Sequence, residues 1–404
     1  MENSGYLNRI INISRKHEEW RDKCINLIPS ENIMSPKARE LLASDFGHRY
    51  SLRDRKWIEY ETENFYLGTR YIDEVYDIGC ELARKLFKAD YADLRPVSGH
   101  VSNLAVLMAL TNIGDTIASI DFRYGGYPGI HEEGIPSKLG LKVISIPFDI
   151  SIGNIDLERF KTLMEETWEV NLIYIGSSFI PFKHPIREIA EIAHRHGVLF
   201  AYDASHVLGL IAGEVYPNPI REGAVLFNGS THKTFPGPQG GIILSIKEVE
   251  DRIRDSITMK TVDNPNYGRI LALTYTLLEM IEFGKEYATQ VVKNAKALAK
   301  SLHEDGIPVL YEHLGFTETH QIILDRKAFK DYNDFAKRLE AANIIVDYAA
   351  RLGTAELTRR GLKESDMEVI AEYISDIYKG VKPDTIREKV VKFTERYTID
   401  YTFK

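Results

Sequence analysis

Hydrophobic positions in this chain follow a helical period in some segments and form short continuous runs in others. Between Ile72 and Phe87, the apolar residues Val75, Ile78, Leu82 and Leu86 recur every three or four positions. This spacing places them on one face of a helix, so the segment is predicted to be an amphipathic helix.

Short apolar runs alternate with further helical segments from about residue 70 to residue 246. Helices are predicted from Ser98 to Leu110 and over 156–165 and 185–196. Strands are predicted at 116–120, 142–146, 172–175, 198–201, 224–228 and 241–245. Strands that alternate with helices indicate an α/β protein with a mostly parallel central sheet and helices on both faces.

A smaller unit is predicted after this region. Residues 267–303 have the pattern of one long or kinked helix, interrupted near Gly284. Strands near 309–311, 321–324 and 344–347 and helices at 328–342 and 364–378 then predict an α+β domain. We expect an N-terminal arm and interface segment over 1–70, a large domain over 71–284 and a small C-terminal domain over 285–404.

The composition is that of an ordinary globular protein: the 404 residues are 44% hydrophobic and 27% charged. The formal net charge of −8 disfavours nucleic acid or an anionic membrane as the main partner. Cys24 and Cys80 are the only cysteines. There is no secretory pattern, and no apolar run approaches the roughly 20 residues that span a bilayer. We therefore expect a cytoplasmic protein without a disulfide framework.

A lysine, an aspartate and a histidine each follow a predicted strand. Lys233 precedes a Gly- and Pro-rich turn, and Asp203 and His206 follow the apolar run that ends at Tyr202. Ligands of parallel sheets lie at the carboxyl ends of the strands, so these side chains can converge there. An amine for a Schiff base and a carboxylate that keeps a pyridine nitrogen protonated are what an enzyme needs to hold pyridoxal phosphate (PLP). The alternatives are a solvated loop lysine, an N-cap aspartate and a packed histidine.

Two further segments carry candidate chemistry. Ser98, Gly99 and His100 open a helix, whose free N–H groups suit the phosphate of the cofactor, although Ser-Gly is also a common capping pattern. Arg351 could hold a substrate carboxylate through two parallel hydrogen bonds. The usual alternative for such a residue is a solvated surface arginine.

Taken together, these motifs resemble the serine hydroxymethyltransferase family along most of the chain. The matching segments are Asn-Leu-Ile-Pro-Ser-Glu-Asn (26–32), Arg-Pro-Val-Ser-Gly (95–99), Tyr-Asp-Ala-Ser-His-Val (202–207), Val-Tyr-Pro-Asn-Pro (215–219), Thr-His-Lys-Thr (231–234) and Gly-Thr-Ala-Glu-Leu-Thr-Arg-Arg-Gly (353–361). The lysine motif is shared more loosely by other type-I PLP enzymes. The 26–32 and 215–219 segments are more particular to this family.

The resemblance implies the type-I PLP-dependent transferase fold, in a homodimer with shared active sites or a dimer of dimers. It implies that Lys233 carries PLP and that Asp203 pairs with the pyridine nitrogen. His206 would contact the phenol oxygen of the cofactor or the substrate. Ser98 and Gly99 would bind the phosphate.

The remaining implied roles surround the substrate. Ser178 would lie near the phenol oxygen, and His232 would flank the lysine as a further catalytic residue. Tyr124 takes the place of a histidine that stacks on the cofactor ring, which a tyrosine can also do. Ser30 and Arg351 would hold the substrate carboxylate.

Two tyrosines are similar to residues that act across the dimer interface of this family. Tyr50 would reach the cofactor, and Tyr66 would reach the substrate and take part in catalysis. The implied active site is therefore shared between two copies of the chain.

Three departures from the family affect mainly its pterin side. Leu52 stands where the family has a glutamate that handles protons, and Asp347 begins a short segment in place of a turn and loop that help to seat the pterin. Residues 262–267 replace a glycine-rich loop that reaches the phosphate in a neighbouring subunit. Candidate replacements for the glutamate are Glu59, Glu61 and Glu63.

The expected function is reversible aldol-type chemistry that interconverts serine and glycine, with no metal site. A tetrahydropterin is one candidate co-substrate; the alternative enzyme is a pterin-independent threonine aldolase or a glycine/threonine transaldolase. The base for the β-hydroxyl is left open between His100, His206 and a glutamate. Decarboxylation, racemisation and transamination carry lower weight. A non-catalytic protein that kept the fold is a third hypothesis, which the presence of Lys233, Asp203 and Arg351 opposes.

Overall fold

The computed structural model describes residues 2–53, 64–167, 169–258 and 260–404. The α-helices in these ranges are α1 (Glu2–Arg21), α2 (Pro36–Leu42), α3 (Arg70–Phe87), α4 (Gly99–Leu110), α5 (Ile135–Leu139), α6 (Leu157–Glu166), α7 (Ile186–Arg195), α8 (Leu208–Ala212), α9 (Glu250–Ile257), α10 (Tyr267–Glu304), α11 (Tyr332–Ala341), α12 (Ala355–Arg359), α13 (Glu364–Tyr378) and α14 (Pro383–Thr394). The strands are β1 (Ile25–Asn26), β2 (Tyr91–Asp93), β3 (Thr116–Ile120), β4 (Lys142–Ile146), β5 (Phe148–Asp149), β6 (Asn154–Ile155), β7 (Val170–Gly176), β8 (Leu199–Asp203), β9 (Leu226–Ser230), β10 (Gly241–Ser245), β11 (Gln321–Ile323), β12 (Ile344–Ile345) and β13 (Arg351–Gly353).

A seven-stranded sheet in the order β2-β10-β9-β8-β7-β3-β4 forms the centre of the molecule. The strands from β9 through β4 pair in parallel, and β10 runs antiparallel to both of its neighbours. The predicted α/β class and mostly parallel sheet are confirmed. The carboxyl ends of β7, β8 and β9 lie at one edge, because these three strands are parallel neighbours.

Both faces of this sheet are buried. Along β7, Ile173 and Ile175 pack in one hydrophobic cluster, and Leu172 and Tyr174 pack in a second. Successive side chains of a strand point to opposite faces, so the alternation assigns one cluster to each side of the sheet. This explains why the central strands are continuous apolar runs rather than alternating patterns.

A separate small core includes part of the N-terminal segment. Ile25 and Leu27 pack with apolar residues that extend from Ala295 to Phe393. Strand β1 pairs in parallel with β12, which aligns Ile25 with Ile344. The segment around residues 25–27 is therefore built into the small core, and is more than an interface arm.

The long helix α10 joins the two regions without a break. It runs from Tyr267 to Glu304 and passes through Gly284, where an interruption was expected. Its earlier part, up to Val291, packs in the large core, and the part from Ala295 packs in the small one. The transition between the cores, from Val291 to Ala295, thus lies about two to three helical turns beyond the predicted boundary. In the described parts of the chain, no helix has both the length and the apolar character that crossing a bilayer requires.

Candidate active site

Three strand ends bring the candidate residues to one edge of the sheet. Asp203 is the last residue of β8, and Lys233 follows the end of β9 at Ser230. Burial is the largest effect on the lysine and lowers its pKa to about 8, against the opposing attraction of Asp203. Among the described residues, no carboxylate forms an ion pair with this amine. A buried amine with a lowered pKa is suited to nucleophilic attack on a carbonyl group.

Asp203 is held only by neutral donors. Its Oδ1 accepts hydrogen bonds from the backbone N–H and the hydroxyl of Ser205, and its Oδ2 accepts one of 3.0 Å from Nδ2 of Asn103. The residue is 7% exposed, and the described part of the chain supplies it with no ion-pair partner. An unpaired buried carboxylate favours a cationic ligand group, so this site fits the protonated pyridine nitrogen of PLP.

A network of buried hydrogen bonds orients the Asn103 amide that donates to Asp203. Oδ1 of Asn103 accepts a 2.6 Å hydrogen bond from Nδ2 of Asn228, and the Tyr174 hydroxyl lies 2.6 Å from the same oxygen. These contacts orient the Asn103 amide so that its N–H groups face Asp203. Asn103 and Asn228 were not predicted, because their role depends on long-range hydrogen bonds that leave no pattern in the sequence.

The amino end of α4 lies close to two hydroxyls of the site. The Ser98 hydroxyl accepts a hydrogen bond of 3.1 Å from the backbone N–H of Val101. A side chain at Gly99 would collide with the Ser230 hydroxyl and press on that of Ser205. Serine hydroxyls beside a helix N-terminus form a cradle that fits the PLP phosphate.

The structure separates the two tyrosines of the Tyr124–Tyr127 segment. Tyr124 stacks on Phe148, with ring centroids 5.9 Å apart and 8° between the planes. Tyr127 instead lies with its hydroxyl 2.9 Å from Nδ1 of His100. Burial and, next, the charge of Asp203 raise the pKa of Tyr127, so this tyrosine lies within the electrostatic reach of Asp203. Tyr124 was predicted from the sequence, and Tyr127 was not.

His206 lies in the same buried region and is neutral. Burial is the first cause and the charge of Lys233 the second that hold the pKa of His206 well below its usual range. Its ring stacks on that of His320, with centroids 5.6 Å apart, and its Nδ1 lies 3.0 Å from Nε2 of Gln321. Burial likewise lowers the pKa of His232, the neighbour of Lys233, to about 4, and the buried Nδ1 of His232 has no hydrogen-bond partner among the described residues.

Arg351 reaches the site from β13 of the small domain. Asp347 Oδ2 accepts a hydrogen bond of 3.0 Å from Nε and forms an ion pair with Nη2, which lies 2.9 Å away. Nη1 donates to the carbonyl of Ser178 at 2.6 Å, and the guanidinium lies over the Phe179 ring, 4.8 Å from its centroid. These bonds use three of the five N–H groups, so the other two are available for a substrate carboxylate.

Residues 27–32 connect the lysine segment to the arginine strand. Asn32 Nδ2 donates to the backbone carbonyl of Lys233 at 2.6 Å, and Leu27 accepts a backbone hydrogen bond of 2.8 Å from Gly353. Ser30 and His232 line one polar cavity of about 660 Å³. The loop therefore places Ser30 close to the lysine segment, and Asn32 is a site residue that was not predicted.

Ser178 contributes its backbone rather than a side-chain contact. Its carbonyl accepts hydrogen bonds from Arg351 and from Gln321, at 2.6 and 3.1 Å. The adjacent Ser177 hydroxyl is buried and has no partner among the described residues. A bound ligand can supply the hydrogen bond that such a buried hydroxyl needs.

Tyr50 and Tyr66 lie together on the surface of one chain. Their ring centroids are 5.3 Å apart, and Tyr50 is 53% exposed. In the described structure, no hydrogen bond or ring contact joins either tyrosine to Lys233 or Arg351 of the same chain. Leu52, which replaces the expected glutamate, is buried. Glu59, Glu61 and Glu63 lie outside the described residues.

An aromatic cavity of about 240 Å³ adjoins Arg351. It shares Phe179, over which the guanidinium lies, and it includes Ile323, which pairs with Arg351 across the β11–β13 ladder. Its other aromatic lining residues are Phe122, Tyr124, Phe148 and Tyr311. Such walls suit a flat heteroaromatic ring.

Comparison with known proteins gives a consistent set of relatives. The serine hydroxymethyltransferase family model matches residues 5–374. The serine hydroxymethyltransferase of Methanocaldococcus jannaschii is 42% identical over 425 aligned positions, which cover 100% of this chain and 97% of the relative. The enzyme of the same name from Methanothermobacter marburgensis is 40% identical with the same coverage.

A solved structure gives the same picture of the fold. The L-threonine transaldolase of Pseudomonas fluorescens superimposes with a TM-score of 0.90 at 26% identity. The match covers 100% of this chain and 94% of that one.

Proposed function

This chain belongs to the serine hydroxymethyltransferase family, and we propose that Lys233 binds its PLP while Asp203 holds the pyridine nitrogen. The enzyme interconverts serine and glycine by reversible cleavage of the bond between Cα and Cβ. PLP, when bound, supplies the electron sink for that chemistry. The observation that carries the assignment is that a buried amine and a buried carboxylate lie near the carboxyl ends of neighbouring strands, with no ion pair between them among the described residues.

Different residues bind the phosphate of PLP and contact its ring in this proposal. Ser98 and Gly99 bind the phosphate at the start of α4, with help from the hydroxyls of Ser205 and Ser230. Tyr127, beside His100, takes the ring-contacting role that the sequence suggested for Tyr124. The support for this exchange is that Tyr124 already stacks on Phe148.

Arg351 and Ser30 bind the substrate carboxylate. Arg351 has two N–H groups left after its bonds to Asp347 and Ser178, and these can form the parallel pair that a carboxylate accepts. His206 faces the same space and stays neutral. Its role is to donate or accept a hydrogen bond, and not to supply a positive charge.

Fewer residues remain as candidates for the base that takes the proton of the β-hydroxyl. Burial holds the pKa of His206 well below its usual range and lowers the pKa of His232 to about 4 and that of His320 to about 3, so these rings are weak bases for proton removal. His100, bonded to Tyr127, is the remaining candidate among the described histidines of the site. A glutamate from residues 54–63 is the alternative.

A tetrahydropterin is the proposed one-carbon acceptor. The aromatic cavity beside Phe179 adjoins the carboxylate anchor and has flat apolar walls, which supports a pterin ring at that position. The similarity to an L-threonine transaldolase favours the alternative, in which a different aldehyde takes this place.

A homodimer with shared active sites completes the proposal. Tyr50 and Tyr66 are adjacent and partly exposed, and helix α1 carries exposed apolar side chains, among them Leu7, Ile10 and Ile11. Exposed apolar side chains grouped on one helix are typical of a surface covered by a partner. Cytoplasmic location also remains part of the proposal, and the free, buried state of Cys24 and Cys80 supports a reducing compartment.

One experiment tests the cofactor site directly. Borohydride reduction of the PLP-loaded enzyme, followed by peptide mapping, should place the trapped pyridoxyl group on Lys233. Lys233→Ala should lose the visible absorption of the bound cofactor, whereas Lys247→Ala, which changes an exposed lysine, should keep it. Trapping on another lysine would refute the assignment.

A second experiment tests the acceptor. The purified enzyme is given L-serine with and without tetrahydrofolate or a related tetrahydropterin. Glycine formation that depends on the pterin supports the proposal. Efficient cleavage of threonine-like substrates with indifference to pterin would instead show the aldolase or transaldolase alternative.

A further inference from the structure

We propose that Gln321 fixes the tautomer of His206, so that the imidazole presents Nε2–H to the ligand space of the active site. Gln321 is thereby a positioning residue that acts through His206. The kinetic consequence of this inference rests on the proposed PLP site, but the tautomer itself does not.

The orientation of the Gln321 amide is set by two backbone groups. Its Oε1 accepts a hydrogen bond of 3.0 Å from the N–H of Ile180, and its Nε2 donates one of 3.1 Å to the carbonyl of Ser178. A backbone N–H can only donate and a carbonyl can only accept, so exchanging the amide oxygen and nitrogen would break both bonds. The side chain is fully buried, which makes either loss costly.

The second N–H of this amide determines where His206 carries its proton. Nε2 of Gln321 lies 3.0 Å from Nδ1 of His206. Since the amide nitrogen is the donor, Nδ1 must hold a lone pair. The buried ring is neutral and has a single N–H, which is therefore on Nε2.

The neighbouring histidine does not compete for this role. His320 stacks on the face of His206, and its own Nε2 lies 3.2 Å from the carbonyl of Pro29. A carbonyl accepts, so His320 uses its N–H on Pro29 and offers only a ring face to His206. Among the described residues, no protein group accepts a hydrogen bond from Nε2 of His206, so this N–H is left for a ligand.

The same contacts connect His206 to the carboxylate anchor. The Ser178 carbonyl accepts from both Gln321 and Arg351. These residues lie on paired strands of the small domain, where Ile323 of β11 is aligned with Arg351 of β13. The two-stranded sheet of β11 and β13 thus orients both His206 of the large domain and Arg351, which we assign to the substrate carboxylate.

The first test measures the tautomer by ¹⁵N NMR of the full chain labelled at histidine, without and with PLP. His206→Gln identifies the His206 signals by their loss. We expect a protonated Nε2 and an unprotonated Nδ1 in the unmutated protein. Gln321→Glu puts an acceptor opposite Nδ1, so it should move a proton onto Nδ1.

The second test measures kinetics. With Gln321→Glu, kcat for serine cleavage should fall by about 10- to 100-fold, the usual range for loss of a residue that orients a functional histidine, while KM for serine changes little. Thr317→Val is the matched control: Thr317 also bonds the same loop, through a 2.9 Å hydrogen bond to the Pro181 carbonyl, but among the described residues its side chain is bonded to neither Gln321 nor His206. It should leave the tautomer and the kcat nearly unchanged.

Each outcome supports or overturns the inference. A protonated Nδ1 of His206 in the unmutated protein overturns it whether or not Gln321→Glu folds. An unchanged tautomer in Gln321→Glu, or the same change in Thr317→Val, also overturns it. If the tautomer is as expected but PLP is trapped away from Lys233, the proposed function fails and the positioning of His206 by Gln321 stands.

Discussion

Lys233 occupies a site that opposes its own positive charge. Burial lowers the pKa of its amine from 10.5 to about 8. A difference of that size corresponds to about 3 kcal/mol that the folded apoenzyme loses by holding this group protonated at neutral pH. The chemical usefulness of the lysine and its cost to stability therefore have the same physical origin.

This cost gives a prediction for the apoenzyme. Lys233→Met should unfold at higher urea than the unmutated apoenzyme at pH 7. Between pH 8 and 10.5 the unfolded lysine stays protonated while the folded one does not, so the stability of the unmutated chain rises relative to the variant and the gap closes. Urea unfolding at pH 7 and at pH 10 measures this, and the exposed Lys300→Met is the control. A gap that is constant with pH would contradict the assignment of a buried, depressed lysine.

Arg351 gives the prediction for substrate binding. Arg351→Ala should weaken glycine and serine binding by about 2–5 kcal/mol, because it removes one partner of a buried charge pair. The loss should be seen in the Kd of glycine by calorimetry of the PLP-loaded enzyme. Arg326→Ala, an exposed arginine of the same domain, should leave the Kd unchanged. An unaltered glycine affinity in Arg351→Ala would remove Arg351 from the site.

The residues that the sequence identified and those that it missed differ in a physical way. Lys233, Asp203 and Arg351 are charged groups next to strands, and a charge at such a position is conspicuous in one sequence. Asn103 and Gln321 are neutral amides that act only through their contacts, and long-range hydrogen bonds leave no local pattern. Tyr124 and Tyr127 are three residues apart, and only their contacts in the fold distinguish them: Tyr124 stacks on Phe148, and Tyr127 lies beside His100.

Elements with a strong local pattern were predicted well. Strands β3, β4 and β10 have the predicted limits, and the predicted helix at 364–378 coincides with α13. The predicted strand at 309–311 is absent: Val309 makes one isolated bridge to Leu324, and Tyr311 has φ +67°, which ends extended structure. Helices α1 and α14 were missed, and both have many charged residues and a mixed pattern.

In helix α10, a glycine was wrongly predicted to interrupt the helix. Gly284 suggested an interruption, but the helix continues through it. Gly213, which packs against α10 at this point, is the residue that needs to be small. A side chain there would collide with Ala288 and the carbonyl of Gly284. A Cβ at Gly284 itself would meet the mobile end of Met280 at 3.2 Å and the Ala212 carbonyl at 3.7 Å.

The two glycines should therefore respond in opposite directions. Gly284→Ala should stabilise the protein by about 0.5–1 kcal/mol, because alanine favours a helix interior and Met280 can move aside. Gly213→Ala should destabilise it, because a backbone carbonyl and a packed Cβ cannot give way. Urea unfolding of both variants measures the pair. Destabilisation by Gly284→Ala would show that the contact of α8 with α10 leaves no room at that position.

At the scale of the whole molecule, the site is where the two cores meet. His206 and Lys233 come from the large domain, and Arg351 and Gln321 come from the small sheet. The loop at 27–32 bonds to both, through Asn32 to the Lys233 carbonyl and through Leu27 to Gly353. Loss of the packing between the cores should therefore disassemble the site as a unit.

Buried neutral histidines make this arrangement sensitive to acid. Burial lowers the pKa of His184 and His232 to about 4 and that of His320 to about 3, and it holds the pKa of His206 well below normal. Between about pH 6.5 and pH 4 the unfolded chain therefore binds protons at these positions that the folded chain does not. Stability is then lost as pH falls, by up to about 1.4 kcal/mol per pH unit for each histidine.

The loss of stability in acid can be assigned to individual histidines by substitution. In urea unfolding of the apoenzyme between pH 7 and pH 5, His320→Phe should show a shallower fall in stability than the unmutated chain, because one proton-binding difference is gone. His303→Phe, which changes a half-exposed ring on the outer end of α10, should keep the original slope. PLP binds only the folded state, so it should raise the free energy of unfolding at pH 7 and at pH 5 alike, and this added stability does not by itself change the slope. Equal slopes for His320→Phe and the unmutated chain would mean that the buried rings at the domain junction take up protons without unfolding, and the acid sensitivity would then have to come from the carboxylates.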